Sequence, residues 1–403
     1  MESSPSASNW RITSLLLNLA HAIDHLMLLV FATAVAAIAR EFGVGRWEDL
    51  MPYTTGAFVM FGVGSFPSGR LGDLWGRRAM MLVYFFGIGV CALLIALTRT
   101  PGQLALALAA MGAFASIYQP VGIPLLLRHT SRPGLTIGVN GMAGNLGIAA
   151  AAISTGFFIQ YFDWRTAFIV PGLLSIACGL AFMKFAPLET DAPAARSARQ
   201  IELPPATRNR VFLVMTMLAI TSSILFNFTT NGNAELLKAR LPILVEQPAL
   251  VGILLAFVYA LASLSQLAVG RMIDRFPIRN VMLGIIAFQG PMFLLAAFSQ
   301  GWTLYAAMIM FMVLVFGSIP FTDAIIARFV DDSIRSRVSG MRLAVSFGVS
   351  SMAVWALGPA VKAAGFGPAL LGLALVAIGS LLITWQLPDE RSMRKASEAA
   401  QAA

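Results

Sequence analysis

Twelve apolar runs, each close to the length of a membrane-crossing helix, alternate along this chain with short polar or Pro/Gly breaks. A bilayer core about 30 Å thick takes about 20 residues of helix. On that ruler the first six runs predict spans at 12–38, 52–70, 79–98, 102–127, 134–160 and 164–186. The second six predict spans at 211–236, 246–270, 280–299, 302–328, 337–361 and 365–387. Residues 187–210, with Pro187, Pro193, Pro204, Pro205 and several arginines, are the one long polar stretch between them. The pattern predicts an all-α membrane protein of twelve transmembrane helices in two pseudo-symmetric halves: residues 1–186, a cytoplasmic linker at 187–210, residues 211–387, and a cytoplasmic tail at 388–403.

Composition agrees with that reading. Of the 403 residues, 58% are hydrophobic and 12% charged, far too apolar for a soluble domain. A net charge of +9 would suit nucleic acid if it were gathered on one solvated face. Instead the Lys and Arg fall in the breaks between runs, so no nucleic-acid partner is expected. With both termini cytoplasmic, 21 of the 28 basic residues lie on that side, which fixes the expected orientation. Cys91 and Cys178 both sit inside apolar runs and offer neither a disulfide framework nor a CxxC site. Residues Met1 to Trp10 are polar and the first apolar run contains Asp24 and two histidines, unlike a cleaved signal peptide.

A repeat joins the halves. The stretch Gly69-Arg70-Leu71-Gly72-Asp73-Leu74-Trp75-Gly76-Arg77-Arg78 lies between the second and third runs and is predicted to be a short loop. Gly270, Arg271, Asp274 and Arg279 repeat its Gly, Arg, Asp and Arg 201 residues further on. Gly69 permits close approach of helix ends, Asp73 can sit near a helix N-terminus, and the arginines can pair with it or with lipid phosphates. Pro120 and Arg128 are likewise echoed by Pro320 and Arg328 at an offset of 200. Duplication of this kind places a solute path between the halves, near the bilayer midplane.

The loop resembles the loop-2/3 signature of the major facilitator superfamily of secondary transporters. That resemblance implies a gating loop on the cytoplasmic side, made of Gly69, Asp73, Gly76, Arg77 and Arg78, with a second copy at Gly270, Asp274 and Arg279. The second copy has Pro277 and Ile278 where Gly76 and Arg77 stand. Asp163-Trp164-Arg165-Thr166-Ala167-Phe168 is similar to a Trp-Arg-x-x-Phe feature common in the family, and read alone it could equally be an interfacial aromatic anchor. Within the superfamily, the helix 1 His/Asp pattern and Tyr118-Gln119-Pro120 resemble the fosmidomycin-resistance-type efflux branch. The Gly-Pro pair that antiporters of the family often show in helix 5 is absent, with Gly144-Asn145 in the comparable region. The helix 4 arginine of a related motif is also missing, since Ala109 to Gly112 has no basic residue.

Ionisable groups inside a membrane helix are costly and therefore functional candidates. The first run holds Asn18, His21, Asp24 and His25 at spacings of three and four, which puts Asn18, His21 and His25 on one stripe with Asp24 at its edge. Three readings stand: a proton-coupling site at His21, Asp24 and His25; a set of polar residues tying helix 1 to its neighbours; and a divalent metal held by histidines at i and i+4. The seventh run has a second stripe, including Asn227, Asn231 and Asn233. In the resembled family helices 1 and 7 both line the cavity, so Asn18, Asn227 and Asn231 are solute-contact candidates. Tyr118, Gln119, Asn140, Asn145, Tyr259 and Gln266 could add to them. Asp323 and Arg342 are expected to link helices 10 and 11 near the gate. Glycines 134, 138, 141, 144 and 147 give helix 5 the small-residue spacing that permits close helix packing.

The expectation is a proton-coupled secondary transporter that moves a small organic solute, neutral or weakly anionic, across a bacterial inner membrane by alternating access, in the efflux direction. Its partners are the solute, protons and the lipid bilayer. A single chain is the expected working unit, with no cofactor and no resident metal. Uptake of an organic anion or metal ion is the alternative within the class; a non-transporting receptor or assembly factor on the same fold is the alternative outside it. An enzyme is not expected: the chain contains no GxxxxGK[ST], GxSxG or HExxH stretch.

Overall fold

In a bilayer the backbone of an apolar run can satisfy its polar groups only within its own helix, and a helix forms at each of the twelve runs. In this computed structural model the described residues are 7–128, 130, 133–188, 205–244, 246–329 and 332–387. The first six helices are α1 (Ala7–Glu41), α2 (Thr55–Trp75), α3 (Arg77–Ala96), α4 (Pro101–Leu127), α5 (Pro133–Tyr161) and α6 (Thr166–Phe185). They are followed by α7 (Pro205–Arg240), α8 (Pro248–Arg275), α9 (Ile278–Phe298), α10 (Gly301–Gly317, resuming as Pro320–Phe329), α11 (Asp332–Ala364) and α12 (Phe366–Trp385). Among the described residues, eleven helices are long and apolar enough to cross a membrane. The remaining one, α2, is rich in Gly and Ser and carries Arg70 and Asp73.

Three local features depart from the sequence expectation. The decapeptide opening at Gly69 is not a loop. Its first seven residues complete α2, and the chain breaks only at Gly76, whose φ of 86° suits glycine alone. The second copy completes α8 in the same way but breaks at Phe276-Pro277, where proline disfavours helix in the residue before it. Helix α7 starts at Pro205, inside the expected linker, with proline in the first helical position where no N–H is needed; residues 189–204 of that linker lie outside the described residues. Finally, α4 widens into one π turn at Tyr118–Gly122. Pro120 has no N–H to give, and its ring crowds the carbonyl four residues back. Its counterpart α10 breaks at Ser318-Ile319, immediately before Pro320.

The chain divides into two compact units. One comprises Met1–Ala194, Thr230–Ala260 and Val354–Lys362; the other comprises Ala195–Thr229, Leu261–Ala353 and Ala363–Ala403. In the first unit α1 lies along α5, α2 along α4, and α3 along α6. The α1–α5 approach is close enough that a Cβ on Gly147 would stand 2.1 Å from the Ala22 carbonyl oxygen. In the second unit α9 packs on α12 and α10. Its core includes Val211, Met215, Val269, Phe321 and Ile325.

At the far end of α1 the Trp-Arg feature of the sequence acts as a clamp. Glu41 accepts hydrogen bonds from Trp164 Nε1 at 2.6 Å and from Arg165 Nη1 at 2.7 Å. Arg165 also donates to the Thr98 carbonyl at 3.3 Å and lies 4.4 Å over the Trp164 ring. This ties α1, α3 and α6 together at one end, a larger role than an interfacial aromatic anchor has. Within the same unit α5 meets the start of α8. A Cβ on Gly156 would lie 2.4 Å from the Pro248 carbonyl, and one on Gly252 2.5 Å from the Ala152 carbonyl. Nearby pairing continues with the Ala249 N–H donating to Gln160 Oε1 at 3.5 Å, and Lys362 donates to Asp49.

Candidate functional site

The polar stripe predicted on α1 is assembled with α4 and α5 into one hydrogen-bonded cluster. The Asn140 side chain on α5 donates to Asn18 Oδ1 at 3.0 Å and to the Tyr118 hydroxyl at 2.7 Å. Tyr118 itself, fully buried on the π turn of α4, donates to the Leu17 carbonyl at 2.8 Å. From α3, Tyr84 donates to the Ala20 carbonyl at 2.6 Å. Two tyrosines and an asparagine thus hold one face of α1, and the widened turn at Pro120 begins at the tyrosine that reaches it.

His21 is fixed by the same neighbours. Its Nδ1 lies 2.8 Å from the Asn140 carbonyl oxygen. A carbonyl only accepts, so Nδ1 carries the proton and the neutral ring keeps its lone pair on Nε2. The ring stacks on Tyr118 at 4.8 Å between centroids and tilts against His25 at 4.9 Å. Gly144 makes the room: a Cβ there would sit 2.7 Å from Nε2. Nε2 is buried and has no hydrogen-bond partner among the described residues.

One turn on, Asp24 is completely buried, and both carboxyl oxygens lack a hydrogen-bond partner among the described residues. The nearby hydroxyls of Tyr84 and Tyr118 are spent on backbone carbonyls. An unpaired carboxylate in apolar surroundings costs several kcal/mol, so a change in its charge must be matched by a change in what surrounds it. No group of three or more His, Cys, Asp or Glu side chains is arranged to hold a metal ion among the described residues.

A cavity of about 580 Å³ opens at the beginning of α1, between that helix, the end of α4 and the start of α5. Its walls are largely Trp10, Leu126, Leu135 and Val139, its polar groups include Arg11 and Ser14, and it reaches inward to Asn18. Asn18 therefore belongs both to the cavity and to the buried cluster.

The other candidates are more scattered. Asn145 is buried on α5 and Gln119 half-buried on α4. Asn231 and Tyr259 are buried in the first unit, where the Tyr259 hydroxyl donates to the Thr230 carbonyl at 3.3 Å. Asn227 belongs to the second unit and donates to Ser350 Oγ at 2.7 Å and to the Ser223 carbonyl at 3.0 Å. Arg342 donates to Thr322 Oγ1 at 3.0 Å, while the side chain of Asp323, its expected partner, lies outside the described residues. In the Gly69–Arg78 stretch Arg77, opening α3, pairs with Asp73 near the end of α2 at 3.8 Å, across the break at Gly76. Gly270 and Asp274 both lie in the last turns of α8, whereas the sequence pattern ends that helix at residue 270. The residues that sequence reasoning did not single out are Tyr84, Ser350 and the cavity wall. Of these, Tyr84 carried a signal, a lone phenol in an apolar run that needs a partner once buried.

Comparison with known proteins follows the fold. Over 177 residues the chain is 29% identical to puromycin resistance protein pur8 of Streptomyces alboniger, covering 42% of this chain and 34% of that protein. Over 195 residues it is 28% identical to the tetracenomycin C resistance and export protein of Streptomyces glaucescens, covering 46% and 35%. The chain spans about a third of the length of these curated relatives. Among solved structures, the inward open conformation of the xylose transporter XylE from E. coli superposes with a TM-score of 0.73 at 12% identity, covering 93% of this chain and 96% of that one. At that identity the likeness speaks for the fold. The family model for the Major Facilitator Superfamily matches residues 17–247, and with its membrane-crossing helices the chain belongs to that superfamily as a multi-pass integral membrane protein.

Proposed function

We propose that this protein is a proton-coupled secondary transporter that exports a small organic solute across the bacterial inner membrane by alternating access, with both termini in the cytoplasm. The observation that carries the reading is Asp24, buried with neither oxygen hydrogen-bonded among the described residues, one turn from a His21 ring whose Nε2 is also unpartnered. Such a pair can hold or release a proton only if its surroundings move, and that is the requirement for coupling. The route from solute to proton is short. A solute at Asn18 pulls on Asn140, which bonds Tyr118 through its side chain and His21 through its carbonyl.

The rest of the molecule supports the same cycle. The cavity opens at the end of α1 that the distribution of basic residues assigns to the cytoplasm, while Gly156, Gly252 and the Asp49–Lys362 pair close the opposite end of the first unit. Relatives named for resistance and export support the outward direction. Pseudo-symmetric halves at residues 1–186 and 211–387, joined at 187–210, are the moving parts in this reading. The test is proton movement in proteoliposomes carrying an internal pH dye, with a panel of drugs and organic acids added on one side. Solute-dependent proton flux supports the reading; solute movement with no accompanying protons for any compound rejects proton coupling.

A further inference from the structure

The cavity at the start of α1 has a chemistry of its own. Arg11 is its one ionised side chain among the described lining residues, is exposed, and has no ion-pair partner there. It sits in the first turns of α1, where the helix dipole adds to its positive field. Its apolar lining is Trp10, Leu15, Leu126, Leu135 and Val139; its neutral polar lining is Ser14, Asn18 and the hydroxyls of Thr130 and Thr136, which bond each other at 2.8 Å. A volume of about 580 Å³ lies in the range of small-molecule sites.

We propose that this cavity is the docking subsite for the solute and that it selects a small organic monoanion with a flat apolar body, of the aromatic carboxylate class. The inference rests on the transporter reading above and names its substrate class. A carboxylate pairs with the Arg11 guanidinium in the two-pronged geometry that group favours. The ring lies on Leu126, Leu135 and Val139, and its far edge reaches the Asn18 amide that Asn140 holds. One cation accommodates one negative charge. A dianion of the same size finds no second cation among the described lining residues for its other charge and sets it beside leucine and valine.

Binding to the full-length chain purified in detergent tests this without any gradient. Benzoate, benzyl alcohol and terephthalate serve as monoanion, neutral near-isostere and dianion, read by calorimetry and by the tryptophan fluorescence change that is lost in Trp10→Phe. Benzoate is expected to bind about tenfold or more tightly than either of the others. Arg11→Gln brings benzoate down to the level of benzyl alcohol and leaves the alcohol unchanged, Arg11→Lys restores part of the difference, and Val139→Trp abolishes binding of both by filling the cavity. Equal affinity for benzoate and benzyl alcohol overturns the proposal, as does benzoate affinity insensitive to both Arg11→Gln and Val139→Trp. The two readings fail separately. Benzoate binding that depends on Arg11 but drives no protons in liposomes leaves the subsite standing and removes proton coupling. Benzoate-driven proton flux that is indifferent to Arg11 does the reverse.

Discussion

Arg78 and Arg279, 201 residues apart in the sequence, perform the same task in separate units. Arg78 donates from Nε to the Ala186 carbonyl at 2.8 Å and from Nη2 to the Met183 carbonyl at 2.6 Å, closing the C-terminal end of α6. Arg279 donates from Nη2 to the Trp385 carbonyl at 2.9 Å, closing α12, and lies 5.8 Å over the Trp385 ring. The last carbonyls of a helix have no partners of their own and carry partial negative charge, so a guanidinium there satisfies both needs. The repeated arginine thus keeps a structural job in both copies, even where Pro277 has replaced the glycine break.

Replacing either arginine by alanine should therefore destabilise the protein by about 1 kcal/mol, with the lysine variants losing less. The caps share no partner, so the two losses should add. Cys91 and Cys178 are both buried free thiols, and their reaction with a thiol-reactive dye on heating reports the shift in melting temperature. No shift in Arg78→Ala would show that the cap contributes nothing.

Gly144 and Gly147 separate stability from coupling. Gly147→Ala places a methyl group against the Ala22 carbonyl and should cost about 1–3 kcal/mol through overpacking. Gly144→Ala places one against the His21 ring. Its expected signature is loss of solute-driven proton flux at a stability loss no larger than that of Gly147→Ala. Unchanged flux in Gly144→Ala would mean that the position of His21 is immaterial to coupling.

The contact of α5 with α8 predicts a removable lock. Gln160 and Ala249 face each other across it, and a Gln160→Cys, Ala249→Cys pair should cross-link on oxidation. Transport should fall to background in the oxidised protein and return on reduction. An oxidised, cross-linked protein that still transports at the native rate would show that this end never opens.

At the N-terminus of α6, burial works against the Asp163 carboxylate, but hydrogen bonds from the Thr166 N–H and Oγ1, both 2.8 Å long, together with the Arg165 charge, outweigh it and hold the group below the usual carboxylate range. Its contribution to stability is thus present above the ordinary carboxylate pKa and is lost as the pH falls through the lower folded value. Asp163→Asn should flatten the acid side of the melting-temperature profile while changing little near neutrality. An unchanged profile would remove the cap from the account. The effect is expected to be small, because Asp163 is exposed and solvent screens it.

Much of this was legible in the chain. Apolar run length gave all twelve helices, because a bilayer forces the same answer on every such run, and the recurrence of Gly, Arg, Asp and Arg exposed the duplication. The α1 stripe was readable from the spacing of Asn18, His21 and His25. What stayed hidden were relations carried by the backbone. That α2 runs on through Asp73 to Gly76 depends on one torsion angle. That His21 is held by the Asn140 carbonyl depends on an approach that only the absence of a side chain at Gly144 permits. The Tyr118 turn needed Pro120 to be read as a local widening of α4, and Arg11 gained meaning only once α4 and α5 walled a space beside it.

The most direct test of the central claim is solute accumulation in proteoliposomes with and without a proton gradient, comparing the native chain with Asp24→Asn. The account predicts that the variant still exchanges solute for solute when no gradient is applied but no longer accumulates it when one is. An Asp24→Asn protein that concentrates solute on a proton gradient as well as the native chain does would contradict it.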